Sequence, residues 1–186
     1  MRTRAAAVLL LAFALAACRP VPPATYRFLD FERDADLDAL VWECHAAFER
    51  TPAHAGHGQW ALRADLPPGE FPGVEFRKVP RDWSPFDELR FRVYVEGDRA
   101  LDAALRVDDD RPCTNVEDRA EVPLRLFPGE NEVRVPVRAI AQGPRARRLN
   151  VGRIRRMIFF LPGSNRREVL DLDDFRLVGV EREKGR

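Results

Sequence analysis

The sequence predicts an all-β fold, a β-sandwich of the jelly-roll type behind a cleaved leader. Three observations carry this. Short runs in which apolar and polar residues alternate recur from Tyr26 to Val178. Proline and glycine punctuate these runs at the spacing of sandwich strands. After the leader there is no long helical periodicity and no internal repeat.

Tyr26 to Glu32 reads as the first strand. The stretch from Leu37 to Phe48 has two readings. Leu37, Leu40, Val41 and Cys44 line one face of a helix, whereas Trp42, Cys44 and Ala46 alternate as on a strand. Trp60 to Leu66 alternates, and Val74 to Val79 follows a Pro-Gly turn. Glu88 to Glu96 is the clearest strand. Leu89, Phe91, Val93 and Val95 point inward, and Arg90, Arg92 and Tyr94 point outward. A slip of one residue would bury those three polar side chains, so the register is set. Leu101 to Asp108 repeats the pattern, with Asp102, Arg106 and Asp108 outward. The turn Pro128-Gly129-Glu130-Asn131 precedes Glu132 to Val137, and Met157 to Leu161 and Val169 to Val178 complete the set. Two such sheets bury their apolar faces against each other and leave the other faces wet.

The first residues are of another kind. Arg2 and Arg4 precede an apolar run from Ala5 to Ala14, and Leu15-Ala16-Ala17-Cys18 follows. This is the architecture of a secretory signal, and the apolar run is too short for a membrane-spanning helix. The tetrad resembles the lipobox of bacterial lipoproteins. The resemblance implies that Cys18 is lipidated and becomes the first residue of the mature chain, held by several acyl chains. Arg19-Pro20-Val21-Pro22-Pro23 is a stiff, extended tether. Arg19, rather than an aspartate, after the cysteine resembles outer-membrane sorting. The chain divides into a signal peptide (1–17), a lipidated cysteine and tether (18–25), a β-sandwich domain (26–180) and a charged tail (181–186) in the cell envelope.

The formal net charge is +1, which excludes a strong field for nucleic acid. Of the 31 basic residues only Lys78 and Lys184 are lysines, so local arginine patches remain open. In an oxidising envelope compartment Cys44 and Cys113 are a candidate disulfide. It would close about 70 residues and contribute roughly 4 kcal/mol in the chain-entropy model. The alternative is two unpaired thiols.

Several segments together resemble the galactose-binding-like jelly rolls that include many carbohydrate-binding modules. These are Leu29-Asp30-Phe31-Glu32, His57-Gly58-Gln59-Trp60-Ala61-Leu62, the run Asp82-Trp83-Ser84-Pro85-Phe86-Asp87-Glu88-Leu89-Arg90-Phe91, Leu126-Phe127-Pro128-Gly129-Glu130-Asn131, and Leu170-Asp171-Leu172-Asp173-Asp174-Phe175-Arg176-Leu177. Their order and spacing carry the resemblance over residues 26–178. The intermediate-associated-protein and family 11 binding-module groups are the most similar. The resemblance implies a structural calcium between first and last strands, with Glu32 and Asp173 as carboxylate ligands, backbone carbonyls near Gly58, and Asp30 as a secondary candidate.

The outward residues suggest a ligand surface. Arg90, Arg92 and Tyr94 share one side of their strand, and Arg106, Asp108, Arg156, Ile158 and Phe160 are outward on other strands. Arg90, Arg92, Tyr94, Arg106 and Phe160 are the candidate glycan-binding set, because an aromatic plate with planar donors suits a sugar. Trp83 precedes a buried strand and reads as packing. His54-x-x-His57, near His45, matches no closed zinc pattern. Asp108-Asp109-Asp110 reads as a solvated strand end. No nucleophile elbow, Walker loop or dinucleotide fingerprint is present. The expectation is a non-enzymatic, membrane-anchored envelope lipoprotein with a carbohydrate-binding-like domain. The alternative is a structural or protein-interaction module of the envelope without a sugar site.

Overall fold

A computed structural model describes residues 25–41, 46–113 and 115–179 of the chain. The leader, Cys18, the tether, Cys44, His45 and the tail 181–186 lie outside the described residues, and with Cys44 so does the candidate disulfide. Cys113 is partly exposed, its Sγ 3.6 Å from the Asn115 carbonyl. No helix among the described residues is long and apolar enough to cross a membrane.

Among the described residues eleven strands are formed: β1 (Thr25–Leu29), β2 (Leu40–Val41), β3 (Ala47–Thr51), β4 (Ala61–Leu66), β5 (Gly73–Phe76), β6 (Glu88–Val95), β7 (Leu101–Asp109), β8 (Ala120–Leu126), β9 (Gly129–Pro136), β10 (Ile154–Phe160) and β11 (Glu168–Val178). They make two antiparallel sheets packed as a jelly-roll sandwich, as the sequence predicts. One runs β3-β4-β11-β6-β9 with β1 also on β11; the other runs β2-β5-β10-β7-β8. The eleven residues of β11 explain the doubled edge. Its first half pairs with β4 and its second half with β1, while β6 lies along its other side.

The predicted register of β6 holds: Leu89, Phe91, Val93 and Val95 are buried. Phe175 is the hub of the core. Its ring stacks on Phe91 at 4.8 Å and meets Phe76 of the opposing sheet at 5.0 Å. Phe159 meets Phe91 edge-on from the same opposing side. Trp83 is fully buried, its indole N–H donating to the Pro80 carbonyl, which bears out its reading as packing.

Within 37–48 the described residues do not form one helix, and Trp42 and Cys44 of the two readings lie outside the described residues. Asp34–Ala39 is a short 3₁₀ helix, β2 is two residues long, and β3 begins at Ala47. One strand and one α-helix come in addition to the expected set. β8 is an edge strand containing Pro123, a residue tolerated only where no ladder bond is needed. The helix α1 (Val137–Gln142) buries Val137 and Ile140, and its six residues are too few to show a period.

β11 carries a bulge where the doubled Asp173-Asp174 breaks the alternation. Its pairing with β6 shifts between Asp173 and Arg176, where Asp174 has φ 58°. The extra residue changes the phase of alternation. Leu170 and Leu172 face the core before it, Phe175 and Leu177 after it. Asp171 and Arg176 consequently share the outer face.

Candidate glycan-binding face

The expected ligand set divides between the two sheets. Arg90, Arg92 and Tyr94 stand on the outer face of the six-stranded sheet. Arg106 on β7 and Phe160 on β10 belong to the five-stranded sheet, so they do not join the other three. Phe160 is buried and meets Phe71 edge-on at 5.8 Å; Phe71 takes the exposed position instead.

Arg106 is committed to its own strand. It grips Asp108 with two bonds of 2.9 and 2.8 Å. Arg156, directly opposite Asp108, bonds it at 2.7 Å and reaches Glu75 at 3.1 Å. The reading of the acidic run as solvated holds for the exposed Asp110 and is corrected for the other two. Asp108 and Asp109 are 5% and 1% exposed, because arginines close over them. Asp109 receives both terminal nitrogens of Arg147 and the Asn150 N–H. Burial pushes its carboxyl up, but these donors outweigh burial and hold it below the ordinary carboxylate range.

On the six-stranded sheet one cross-strand row reads Glu49, Arg63, Asp171, Tyr94, Glu130. Asp171 is 3% exposed and is the anchor of that row. Arg63 clamps it at 2.9 and 3.1 Å, and His54 Nδ1 lies 2.6 Å from its Oδ2. His54 has φ 56°, and its ring lies over Tyr94 with 3.4 Å between centroids and 5° between planes. With one ring face taken by the imidazole, Tyr94 is half of a two-ring wall rather than a bare plate. The sequence reading missed this pair, since nothing local links a loop histidine to a strand 40 positions away.

A depression of about 210 Å³ opens beside the stacked rings, lined by His54, Gly56, Arg92, Tyr94, Glu130 and Glu132 among others. A Cβ at Gly56 would collide with the Arg92 side chain, so this glycine is what lets the arginine stem pass under the loop. Arg92 keeps 46% of its side chain exposed. Arg134 and Arg176 bond Glu132, and the Arg134 bond above all holds its carboxyl below the usual range. The two glutamates are neighbours on one face of one strand. A glycosidase pair must instead face each other across the scissile bond, with one carboxyl protonated.

The expected metal ligands converge on the same loop. Glu32 Oε1 accepts the N–H groups of Gln59 and Trp60 at 2.8 and 2.9 Å, which lowers its carboxyl. Asp173 Oδ2 accepts those of Gly56 and His57 at 2.7 and 2.8 Å. Gly58 has φ 69°, and a Cβ there would strike the Glu32 carboxylate. Asp173 Oδ1 is buried with no hydrogen-bond partner. Burial pushes the Asp173 carboxyl up to about 6, with Asp30 adding to the effect. Asp30 Oδ2 lies 3.6 Å from His57 Nδ1. Among the described residues no three metal-ligating side chains form a ready cluster. An ion held here would therefore need backbone carbonyls beside the orphaned Asp173 oxygen, which suits calcium.

No protein-family model and no curated protein sequence matches the chain. Solved structures do match in fold. A family 11 carbohydrate-binding module from Clostridium thermocellum, in complex with a β-1,3-1,4-mixed-linked tetrasaccharide, aligns with TM-score 0.64 at 13% identity, covering 84% of this chain and 96% of the module. A family 28 module specific for non-crystalline cellulose aligns with TM-score 0.59 at 17% identity, covering 82% of this chain and 93% of the module. An exo-β-agarase aligns with TM-score 0.64 at 15% identity over 84% of this chain. This chain spans only 25% of the agarase's length. The likeness is one of fold: a jelly-roll sandwich of the carbohydrate-binding-module kind.

Proposed function

We propose that this protein is a membrane-anchored envelope lipoprotein whose β-sandwich binds glycan without catalysis. The observation that carries the reading is the depression between the His54–Tyr94 stack and Arg92. It combines an aromatic wall with exposed guanidinium donors and flanking carboxylates, which is the chemistry needed to hold a sugar's apolar face and its hydroxyls. The modules of like fold are named for binding oligosaccharide or cellulose, which supports the reading.

The anchor belongs to the proposal through Cys18 and the proline-rich tether. Mass spectrometry of the envelope-extracted protein tests it; an unmodified cysteine, or a chain retaining residues 1–17, would contradict it.

A structural calcium belongs to the proposal as well. Asp173 Oδ1, joined by backbone carbonyls of the 54–60 loop and by Glu32 as the second carboxylate, would hold it, and its charge would offset the buried Asp173 carboxylate.

A protein-interaction role on the same scaffold is the alternative, because one fold hosts many sites. Retention on soluble polysaccharides separates the two. Retention lost in Arg92→Ala at an unchanged melting temperature supports the glycan site. Capture of a defined envelope protein with no polysaccharide retained supports the alternative.

A further inference from the structure

Four arginines stand directly opposite one another across four adjacent strands. Arg27 on β1 pairs with Arg176 on β11, Arg176 with Arg90 on β6, and Arg90 with Arg134 on β9. All four project from the outer face that carries the depression, and Arg92 stands two residues along β6 from Arg90. Adjacent strands lie about 4.8 Å apart, so the row spans roughly 14 Å. Like charges directly opposite are normally destabilising in a sheet. The bulge at Asp173–Asp174 creates the row, because it turns Arg176 outward.

The carboxylates nearby neutralise this row only in part. Asp174 bonds Arg27 and Arg176 and lies 3.9 Å from Arg92. Glu132 serves Arg134 and Arg176, and Glu88 serves Arg90 at 2.8 Å. Five guanidiniums (Arg27, Arg90, Arg92, Arg134 and Arg176) thus share three bonded carboxylates, with Asp173 standing opposite Arg92. Glu130, opposite Tyr94, is the next acid along β9. Burial and then the surrounding charges of Arg27, Arg90 and Arg92 hold the Arg176 guanidinium below its ordinary range, with Glu132 pulling the other way. Arg134, Arg92, Arg27 and Arg90 leave 55%, 46%, 32% and 24% of their side chains exposed, so donors remain available outward, while Arg176, at 13%, is held within the row by Asp174 and Glu132.

We propose that the glycan taken by this face is anionic, a uronate or sulfated polysaccharide laid across the row Arg27–Arg176–Arg90–Arg134 with one sugar ring against the His54–Tyr94 wall. Planar guanidiniums match carboxylate and sulfate groups with paired bonds. The strand spacing is of the order of one pyranose residue, so acidic groups along the polymer meet Arg27, Arg90 and Arg134, with Arg176 adding charge from beneath. The bound anion relieves the repulsion that the bare row carries. This rests on the glycan-binding reading above and specifies its ligand class.

The test is affinity electrophoresis of the full chain in gels holding polygalacturonate, dextran sulfate or unmodified dextran. Retention is expected in the first two, falling steeply with added salt, and not in dextran. Arg90→Gln and Arg134→Gln each weaken retention about tenfold or more, a change of about 1.4 kcal/mol. Their melting temperatures do not fall by more than the loss of one surface pair, whereas Arg125→Gln on the far sheet leaves retention unchanged. Retention by dextran equal to that by dextran sulfate, or undiminished retention in both row variants, would overturn the anionic assignment and leave glycan binding standing. No retention by any of the three polysaccharides or by barley β-glucan would overturn both. Preference for phosphatidylglycerol over phosphatidylcholine vesicles, with neither polyanion retained, would also overturn it.

Discussion

His54 and Tyr94 form a parallel stack, 3.4 Å between ring centroids, that Asp171 pins from below through a 2.6 Å contact to His54 Nδ1. The pair joins a loop to β6 of the larger sheet and forms one wall of the candidate site. An aromatic pair of this kind contributes about 0.5–1.5 kcal/mol beyond area burial. His54→Ala should therefore weaken glycan retention by up to about tenfold, with a melting temperature lowered by only a few degrees. His54→Phe should restore part of the retention. Affinity electrophoresis beside thermal denaturation checks this; full retention in His54→Ala would remove the stack from the site.

Asp109 carries a pH dependence whose sign follows from its partners. Its carboxyl is held below its ordinary value of 3.8, so its stabilising share is present above that value and is lost as pH falls through the lower folded value. Asp109→Ala leaves the Arg147 charge partly buried without its partner, and breaking a buried pair costs about 3–5 kcal/mol. Urea unfolding should show this deficit at neutral pH and a narrowing gap between variant and parent below pH about 4. A gap that widened on acidification would contradict the assignment.

Much of the sandwich was legible because alternation and turn chemistry are local. Leu89, Phe91, Val93 and Val95 fix their own register, and Asp82-Trp83-Ser84 announces the strand that follows. β8 escaped because Pro123 interrupts it, and α1 because it completes fewer than two turns. The site was half legible. Arg90, Arg92 and Tyr94 could be put on one face, but placing Arg106 beside them required the strand order, which no single strand encodes. The arginine row was missed for a second reason. Arg176 faces outward only because the bulge at Asp174 shifts the phase of β11, a shift that the doubled Asp173-Asp174 marks and a strict period of two does not predict.

Gly58 tests the loop that carries both His54 and the Asp173 contacts. Its φ of 69° suits glycine, and a Cβ would press on the Glu32 carboxylate. Gly58→Ala should cost about 1–3 kcal/mol, read as a lower denaturation midpoint. An unchanged midpoint would mean that the loop readjusts freely and does not hold Glu32 in place.

Calcium should stabilise the parent chain by mass action if it binds only the folded state. The expected result is a melting temperature raised by added calcium and lowered by chelator. The same titration on Asp173→Asn should be flat, because the orphaned Oδ1 loses its charge. A parent indifferent to both additions would exclude the ion.

The most direct measurement of the central claim is polysaccharide retention by the parent, Tyr94→Ala, Arg92→Ala and Arg106→Ala, each with its melting temperature. Binding on the outer face of the six-stranded sheet predicts that the parent is retained, that Tyr94→Ala and Arg92→Ala lose retention while staying folded, and that Arg106→Ala, on the other sheet, keeps it. A parent that no polysaccharide retards, or retention lost in Arg106→Ala and kept in the other two, would contradict the account.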